Sequence, residues 1–346
     1  MNTSTKLLTI AFIGCSPLVF AQKPKASKPV VPQPAFTVPA RLEKELLRLS
    51  DISGGKVGLC ATHIESGKTI VQNGKDHFPM ASSYKVAIAT QLLTRVDSGR
   101  VTLDQLVPIT KNDLHPGSGM LSDRFDWPAT ANPGVSLSVR SLLELMLLIS
   151  DNSATDMCLR LAGGPAAVNA CMKRLGVEGL QVNRPTAWLI ADCLGIPMDM
   201  NQAWSPARWD SLAKLNTTEL REASYIAFEN DIRDTSTPEA MTLLLTKLYT
   251  QPVLKTASKT LLLDIMKRCE TGLARLKGAL PPDTEVLHKT GTIGLTASDV
   301  GIITLPDNAG HVAISVFVKS AKKDGPMRER AIAEVTRTLY DYFLYQ

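Results

Sequence analysis

Phe78-Pro79-Met80-Ala81-Ser82-Ser83-Tyr84-Lys85 runs directly into Val86-Ala87-Ile88-Ala89-Thr90-Gln91-Leu92-Leu93. The first half, with His77 before it, has strand character. The second half opens a long apolar helix, read over residues 83–98. A side chain at a helix start sits among unpaired backbone N–H groups at the positive end of the helix dipole. Residues three apart share a helix face, so Lys85 directs its ammonium at the oxygen of Ser82. In a partly buried, cationic site a lysine loses basicity toward neutrality and can serve as a base. Ser-x-x-Lys occurs four times, at Ser53/Lys56, Ser82/Lys85, Ser211/Lys214 and Ser320/Lys323. Ser53 precedes a Gly-Gly turn, Ser211 lies in a polar Trp-bearing region and Ser320 ends a strand among charges. Only Ser82 opens an apolar helix. Taken alone, the pair is better explained by a helix cap and a solvated lysine.

Two further motifs change that balance. Ser150-Asp151-Asn152 follows the apolar run Leu142 to Ile149 and precedes another helix. A hydroxyl and an amide at a break between buried helices can face a cleft, although Asp151 or Asn152 would also suit a cap. Lys289-Thr290-Gly291-Thr292 lies on a strand, where glycine admits a close neighbour and the lysine and hydroxyls suit a carboxylate-bearing substrate. The bland alternative there is an edge strand guarded by a lysine. Ser-x-x-Lys, then Ser-Asp-Asn, then Lys-Thr-Gly, in that order, is the serine β-lactamase and penicillin-binding protein signature.

The surrounding periodicity supplies the organisation. Residues 39–50 read as a helix, 56–63 and 69–71 as strands about a turn at Glu65-Ser66-Gly67-Lys68. At the far end 285–290, 298–305 and 311–319 read as strands and 326–344 as a helix. Between them 83–98, 138–149, 152–162, 165–174 and 237–250 are helical. The pattern is an α/β sheet layer built from both ends of the chain, holding an inserted all-helical part. The sheet layer takes about 38–80 and 255–346, and the helical part about 81–254.

The chain resembles the class A β-lactamases from about residue 40 to 345. The likeness rests on FPMASSYK, on Arg233-Asp234-Thr235-Ser236-Thr237-Pro238, on Thr271-Gly272, Arg275, Leu276 and Gly278, on His288-Lys289-Thr290-Gly291-Thr292, and on Ser298-Asp299-Val300-Gly301. The resemblance implies an antiparallel sheet flanked by helices. It implies Ser82 as nucleophile, Lys85 as its base, and Ser150 and Lys289 as the route of a proton to the departing nitrogen. It implies backbone N–H groups of Ser82 and Thr292 as an oxyanion hole, and Asn152, Thr290, Gly291, Thr292 and Arg275 as substrate-binding positions. Arg184 and Asp234 match the salt-bridged ends of the family's omega loop, which is here enlarged. The family's deacylating Glu falls on Thr186, and the Asn four residues on falls on Ile190. Another carboxylate in the segment would have to serve, with Asp192, Asp199, Glu219, Glu222 and Glu229 as candidates, or deacylation is slow. Losing a general base costs about 10²–10⁴ in rate. The implied function is hydrolysis of β-lactams. The alternatives are a penicillin-binding protein or D-Ala-D-Ala peptidase with slow deacylation, an esterase-like serine hydrolase, and a non-catalytic cell-wall-binding module. A further insertion around His115-Pro116-Gly117-Ser118-Gly119 is placed to reshape the cleft rim.

The 346 residues carry a net charge of +5, 44% hydrophobic residues and a mean hydropathy near zero. That supports a sizeable core and excludes wholesale disorder. With no basic stripe interleaved with aromatics, nucleic acid is not expected as a partner. Lys6 and the apolar stretch 7–20 read as a secretion signal cleaved before Gln22, with a lipid-attachment box ending at Cys15 as the alternative. Residues 22–37 are rich in Pro, Lys and Ala and read as a spacer. No later run is long and apolar enough to cross a membrane. The expected protein is therefore exported, with no permanent span, and monomeric. Cys60, Cys158, Cys171, Cys193 and Cys269 show no CxxC or zinc spacing, and their odd number leaves a thiol free; most read as small buried hydrophobes. The five histidines form neither HExxH nor a triad pattern, so no metal or cofactor is expected. His288 reads as a strand residue, and Trp188, Trp204 and Trp209 as packing for the enlarged segment.

Overall fold

A computed structural model describes residues 1, 38–125 and 131–345. The secretion-signal, lipid-box and spacer readings lie outside the described residues. From residue 38 onward the chain forms a single contact unit. Its elements begin with α1 (Ala40–Ser50), β1 (Lys56–His63), β2 (Thr69–Gln72), β3 (Phe78–Pro79) and α2 (Lys85–Asp97). Then come β4 (Leu106–Pro108), α3 (Met120–Arg124), β5 (Ser136–Ser138), α4 (Val139–Leu148), α5 (Asn152–Ala162) and α6 (Gly164–Arg174). The enlarged segment holds α7 (Thr186–Leu194), α8 (Pro206–Ala213) and α9 (Thr218–Asn230). The chain ends with β6 (Thr235–Ser236), α10 (Pro238–Thr250), α11 (Thr256–Lys267), β7 (Val286–Ile293), β8 (Thr296–Leu305), β9 (Gly310–Lys319) and α12 (Gly325–Leu344).

Five strands form one antiparallel sheet in the order β2-β1-β9-β8-β7. Alternation along β9 shows why it is central. Val312, Ile314, Val316 and Val318 enter a core shared with Leu46 of α1 and Ile332, Val335 and Leu339 of α12. Ala313 and Phe317 point the other way, into a core shared with Met241 and Leu244 of α10. A period of two places successive side chains on opposite faces, and both faces are covered. Each such aliphatic or aromatic side chain, fully buried, contributes about 1.5–3 kcal/mol. The α/β reading holds, with helices on both faces of the sheet.

Two placements differ from the sequence reading. Helix α10, read with the helical part, lies on the sheet, where Thr242 Oγ1 donates to Cys60 O at 3.0 Å and meets Ser315 Oγ at 3.0 Å. Residues 256–267, in the segment read as sheet layer, form α11, whose Leu262, Ile265 and Met266 join the core containing α2 and α4. Helix α2 is buried all round from Lys85 to Leu93, so no amphipathic stripe marks which side meets which neighbour.

The 184–234 excursion is closed by a buried guanidinium. Arg184 Nε donates to Asp234 Oδ2 at 2.6 Å, and its NH1 to Asp192 Oδ2 at 2.6 Å and Asp231 Oδ2 at 3.1 Å. The expected pair between the loop ends is thus made, with two more carboxylates added. Trp204 stands between Trp188 and Trp209, with ring centroids 5.7 and 5.8 Å away, and packs the excursion as expected. The five described cysteines are all unpaired and buried.

Candidate active site

Ser82 sits in a single 3₁₀ turn, Ala81–Tyr84, immediately ahead of α2. Ala81 has φ +46°, an uncommon backbone for a residue with a Cβ, and it turns the chain sharply out of β3. Strand β7 lies against this turn. A Cβ on Gly291 would stand 2.3 Å from Met80 O and 3.1 Å from Ser82 N, so only glycine allows the approach. Ser150 also has a left-handed backbone, φ +63°, at the break between α4 and α5. That break carries its hydroxyl between two lysines.

Lys85 Nζ donates to Ser150 O at 2.7 Å, Ser150 Oγ at 3.1 Å and Asn152 Oδ1 at 3.1 Å. Lys289 Nζ donates to the same Ser150 Oγ at 3.0 Å and to Thr290 O at 3.0 Å. Both ammonium groups are fully buried. Burial, and then the charge of Lys289, hold the Lys85 amine well below the ordinary lysine range. Burial lowers Lys289 to about 8, with Arg275 adding to the effect and Asp299 and the Cys269 thiol opposing it.

A cavity of about 240 Å³ opens over Ser82. Its wall takes Asn152 from α5, Thr292 and Ile293 from β7, and Thr186, Leu189 and Ile190 from α7. Gly117 and Ser118 of the inserted segment form the rim, as expected of that insertion. They also brace Asn152, whose backbone N–H donates to Ser118 O at 2.9 Å and whose Nδ2 donates to Pro116 O at 3.0 Å. Thr290 Oγ1 is 2.6 Å from Thr271 Oγ1. Arg275 lies behind the strand: NH1 donates to Gly291 O and Ser298 O, both at 2.9 Å, NH2 to Thr292 Oγ1 at 2.6 Å, and Nε to Glu329 at 3.1 Å. His288 is a buried strand residue whose Nδ1 lies 2.9 Å from the Asp299 carboxylate. A larger cavity, about 400 Å³, lies between β8 and α12, lined by Arg337, Tyr340 and Asp341, away from all three motifs.

The model of the Beta-lactamase enzyme family matches residues 41–343. The chain belongs to that family. Among its relatives are β-lactamase VEB-1 of Pseudomonas aeruginosa, 28% identical with 84% of this chain and 86% of that one covered, and the carbapenem-hydrolysing β-lactamase KPC of Klebsiella oxytoca, 28% identical with 84% and 85% covered. A crystal structure of a β-lactamase from Chitinophaga pinensis is 31% identical, with a TM-score of 0.70 over 87% of this chain and 99% of that one. An ancestral class A β-lactamase is 28% identical, with a TM-score of 0.69 over 87% of this chain and 99% of that one. This β-lactamase-family chain is a serine hydrolase of the class A type.

The five candidate replacements for the family's deacylating Glu all lie elsewhere. Asp192 pairs with Arg184 and Arg233. Glu229 accepts from Ser320 N at 2.7 Å, Ser320 Oγ at 2.8 Å and Thr296 Oγ1 at 3.3 Å. Asp199 accepts from Asn201 and Gln202, and Glu219 and Glu222 are exposed on α9. None of them lines the cavity. Three helices occupy the enlarged segment, and α7 presents Thr186, Leu189 and Ile190 to the cavity over Ser82, while Asp192 turns to Arg184 and the other four acids lie away from it.

Sequence reasoning passed over two contributors. Asp156 accepts Thr186 N at 2.7 Å and Ala187 N at 3.3 Å, and so caps α7 from a neighbouring helix. Its spacing four residues after Asn152, on the same face of α5, was the available signal. Tyr84 lines the cavity and meets Thr186 there.

Proposed function

We propose that this enzyme hydrolyses β-lactams through an acyl-enzyme on Ser82. In that reading Ser82 Oγ attacks the lactam carbonyl and Lys85 takes its proton. The developing oxyanion is held by backbone N–H groups of Ser82 and Thr292, the largest single aid to acyl transfer in most enzymes of this kind. Ser150 delivers a proton to the departing nitrogen, replenished from the lysines on either side. Asn152, Thr290, Gly291 and Thr292 position the substrate. Arg275 acts behind Thr292, holding its hydroxyl for the substrate carboxylate. The observation that carries the reading is the single hydroxyl of Ser150 placed 3.1 Å from one buried lysine and 3.0 Å from another. A depressed lysine beside a nucleophile is the arrangement general-base chemistry requires.

The peptidase, esterase and cell-wall-binding alternatives are not favoured, since the relatives are named β-lactamases. We place the enzyme outside the cytoplasm as a monomer, its first 21 residues removed on export, where it would confer resistance by destroying antibiotic. No helix among the described residues is long and apolar enough to cross a membrane. Nucleic acid has no part in this reading.

The test is a time course of chromogenic cephalosporin cleavage by the mature protein beside Ser82→Ala. Sustained turnover lost in Ser82→Ala supports the proposal. A burst of one equivalent followed by silence would instead mark a penicillin-binding protein.

A further inference from the structure

Hydrolysis of an acyl-enzyme needs a base for the attacking water, and the cleft is unusual in what it offers. The polar side chains lining it are Ser82, Tyr84, Ser118, Asn152, Thr186 and Thr292, beside apolar Leu189, Ile190 and Ile293. Among the described residues no carboxylate lines it. The acids nearest by connection are committed. Asp151 accepts Leu121 N at 2.9 Å with one oxygen and Ala154 N at 2.8 Å with the other. Asp156 spends both oxygens on the start of α7, and Oδ2 also lies 3.4 Å from His115 Nε2. The hydroxyls Tyr84 and Thr186 bond each other, and burial followed by the charge of Asp156 keeps the phenol protonated. They can hold a water but cannot take its proton.

We infer that Lys85 is the base in both halves of the cycle, taking the proton of Ser82 during acylation and that of the attacking water during deacylation. This rests on the β-lactamase reading above. Lys85 Nζ touches three oxygens, and none belongs to a carboxylate. The groups facing it are Lys289 on β7 and Asp151, Asp156 and Cys158 around α5. Burial and Lys289 oppose its charge, while the two aspartates and the thiol favour it. With burial the largest influence, the amine is held well below the ordinary lysine range, which favours its neutral, proton-accepting form.

The proton count closes. In acylation the Ser82 Oγ–C bond forms, the Oγ proton passes to Lys85, the lactam C–N bond breaks, and the nitrogen takes a proton from Ser150. The Lys85 ammonium, 3.1 Å away, refills Ser150 and returns to the neutral amine. In deacylation the water oxygen bonds to the acyl carbon and its proton passes to the same amine. The C–Oγ bond then breaks, and Oγ takes that proton back. No carboxylate and no net proton is required.

The test isolates the second half. Wild-type protein is acylated with a penicillin, freed of excess ligand, and the loss of the Ser82 adduct is followed by intact-mass spectrometry from pH 5 to 10. The expected loss rate climbs tenfold per pH unit and then levels. Asp199→Asn and Glu229→Gln shed the adduct within threefold of wild type. Lys85→Ala, acylated by long incubation, sheds it at least a hundredfold more slowly, and methylamine speeds that loss. A flat profile overturns the inference. So does a hundredfold loss in either carboxylate variant, or wild-type shedding by Lys85→Ala. Failure of wild type to form any adduct, with the penicillin left intact, would instead overturn the β-lactamase reading itself.

Discussion

The hydroxyls of Tyr84 and Thr186 lie 2.5 Å apart, joining the turn that carries Ser82 to the first residue of α7. Tyr84 is buried, so its phenol depends on this partner. Thr186→Val keeps the shape and removes the partner. A buried donor left unsatisfied costs about 1–3 kcal/mol. Urea unfolding should show that loss for Thr186→Val and a smaller one for Tyr84→Phe, with the double variant less destabilised than the sum. Strict additivity would mean that the two hydroxyls are not coupled.

Acylation should have a bell-shaped pH profile, measured as the rapid phase of cephalosporin opening. It rises as Lys85 loses its proton. It falls as Lys289 loses its own near pH 8, because an uncharged Lys289 no longer supports proton delivery through Ser150. Lys289→Arg, which stays charged, should lose the falling limb.

Lys289 also makes stability depend on pH. Its folded value of about 8 lies below the ordinary 10.5, so between these pH values the unfolded chain holds a proton that the folded chain does not. Stability therefore rises with pH across that window, by about 3 kcal/mol for this group. Lys289→Met should be more stable than wild type at pH 7, and its advantage should shrink by pH 10. An advantage that is constant with pH would remove the depressed lysine from the account.

Asp234→Asn breaks a pair in which both side chains are 1% exposed. Removing one member of a buried pair costs about 3–5 kcal/mol. The loss should appear in thermal unfolding together with reduced kcat, since the same guanidinium anchors α7 through Asp192. Stability equal to wild type would show that Asp192 and Asp231 suffice for Arg184.

Gly291→Ala brings a Cβ against Met80 O and Ser298 Oγ, at 2.3 and 2.5 Å. The first neighbour is backbone and cannot swing away. The strand must retreat from the turn that carries Ser82, and a displacement of that size in a preorganised site costs about 10²-fold. The loss should fall on kcat/KM for cephalosporin, with the folded state retained by circular dichroism.

Several parts of this protein were legible without coordinates. The apolar stretch within residues 311–319 marked β9 and the apolar run after Lys85 marked α2, because burial on all sides keeps polar residues out of a short stretch of chain. Three motifs marked Ser82, Lys85, Ser150, Asn152 and Lys289, because their chemistry restricts residue type. The ends of the enlarged segment were readable from Arg184 and Asp234. Its interior was not. Helices α7 and α8 pack together through a tryptophan cluster, Phe228 of α9 packs on Leu189 and Cys193 of α7, and Asp156 caps α7, so each helix depends on a partner outside its own stretch of chain.

The amino-acid sequence alone determined the three motifs and the strands and helices at both ends of the chain, since these depend on residue types a few positions apart. Tertiary structure alone decided what faces Ser82. Whether an acid such as Asp192 meets a water or a guanidinium depends on distances between segments far apart in the chain. Arg184 draws that carboxylate to itself at 2.6 Å and leaves the cleft to hydroxyls and aliphatic side chains.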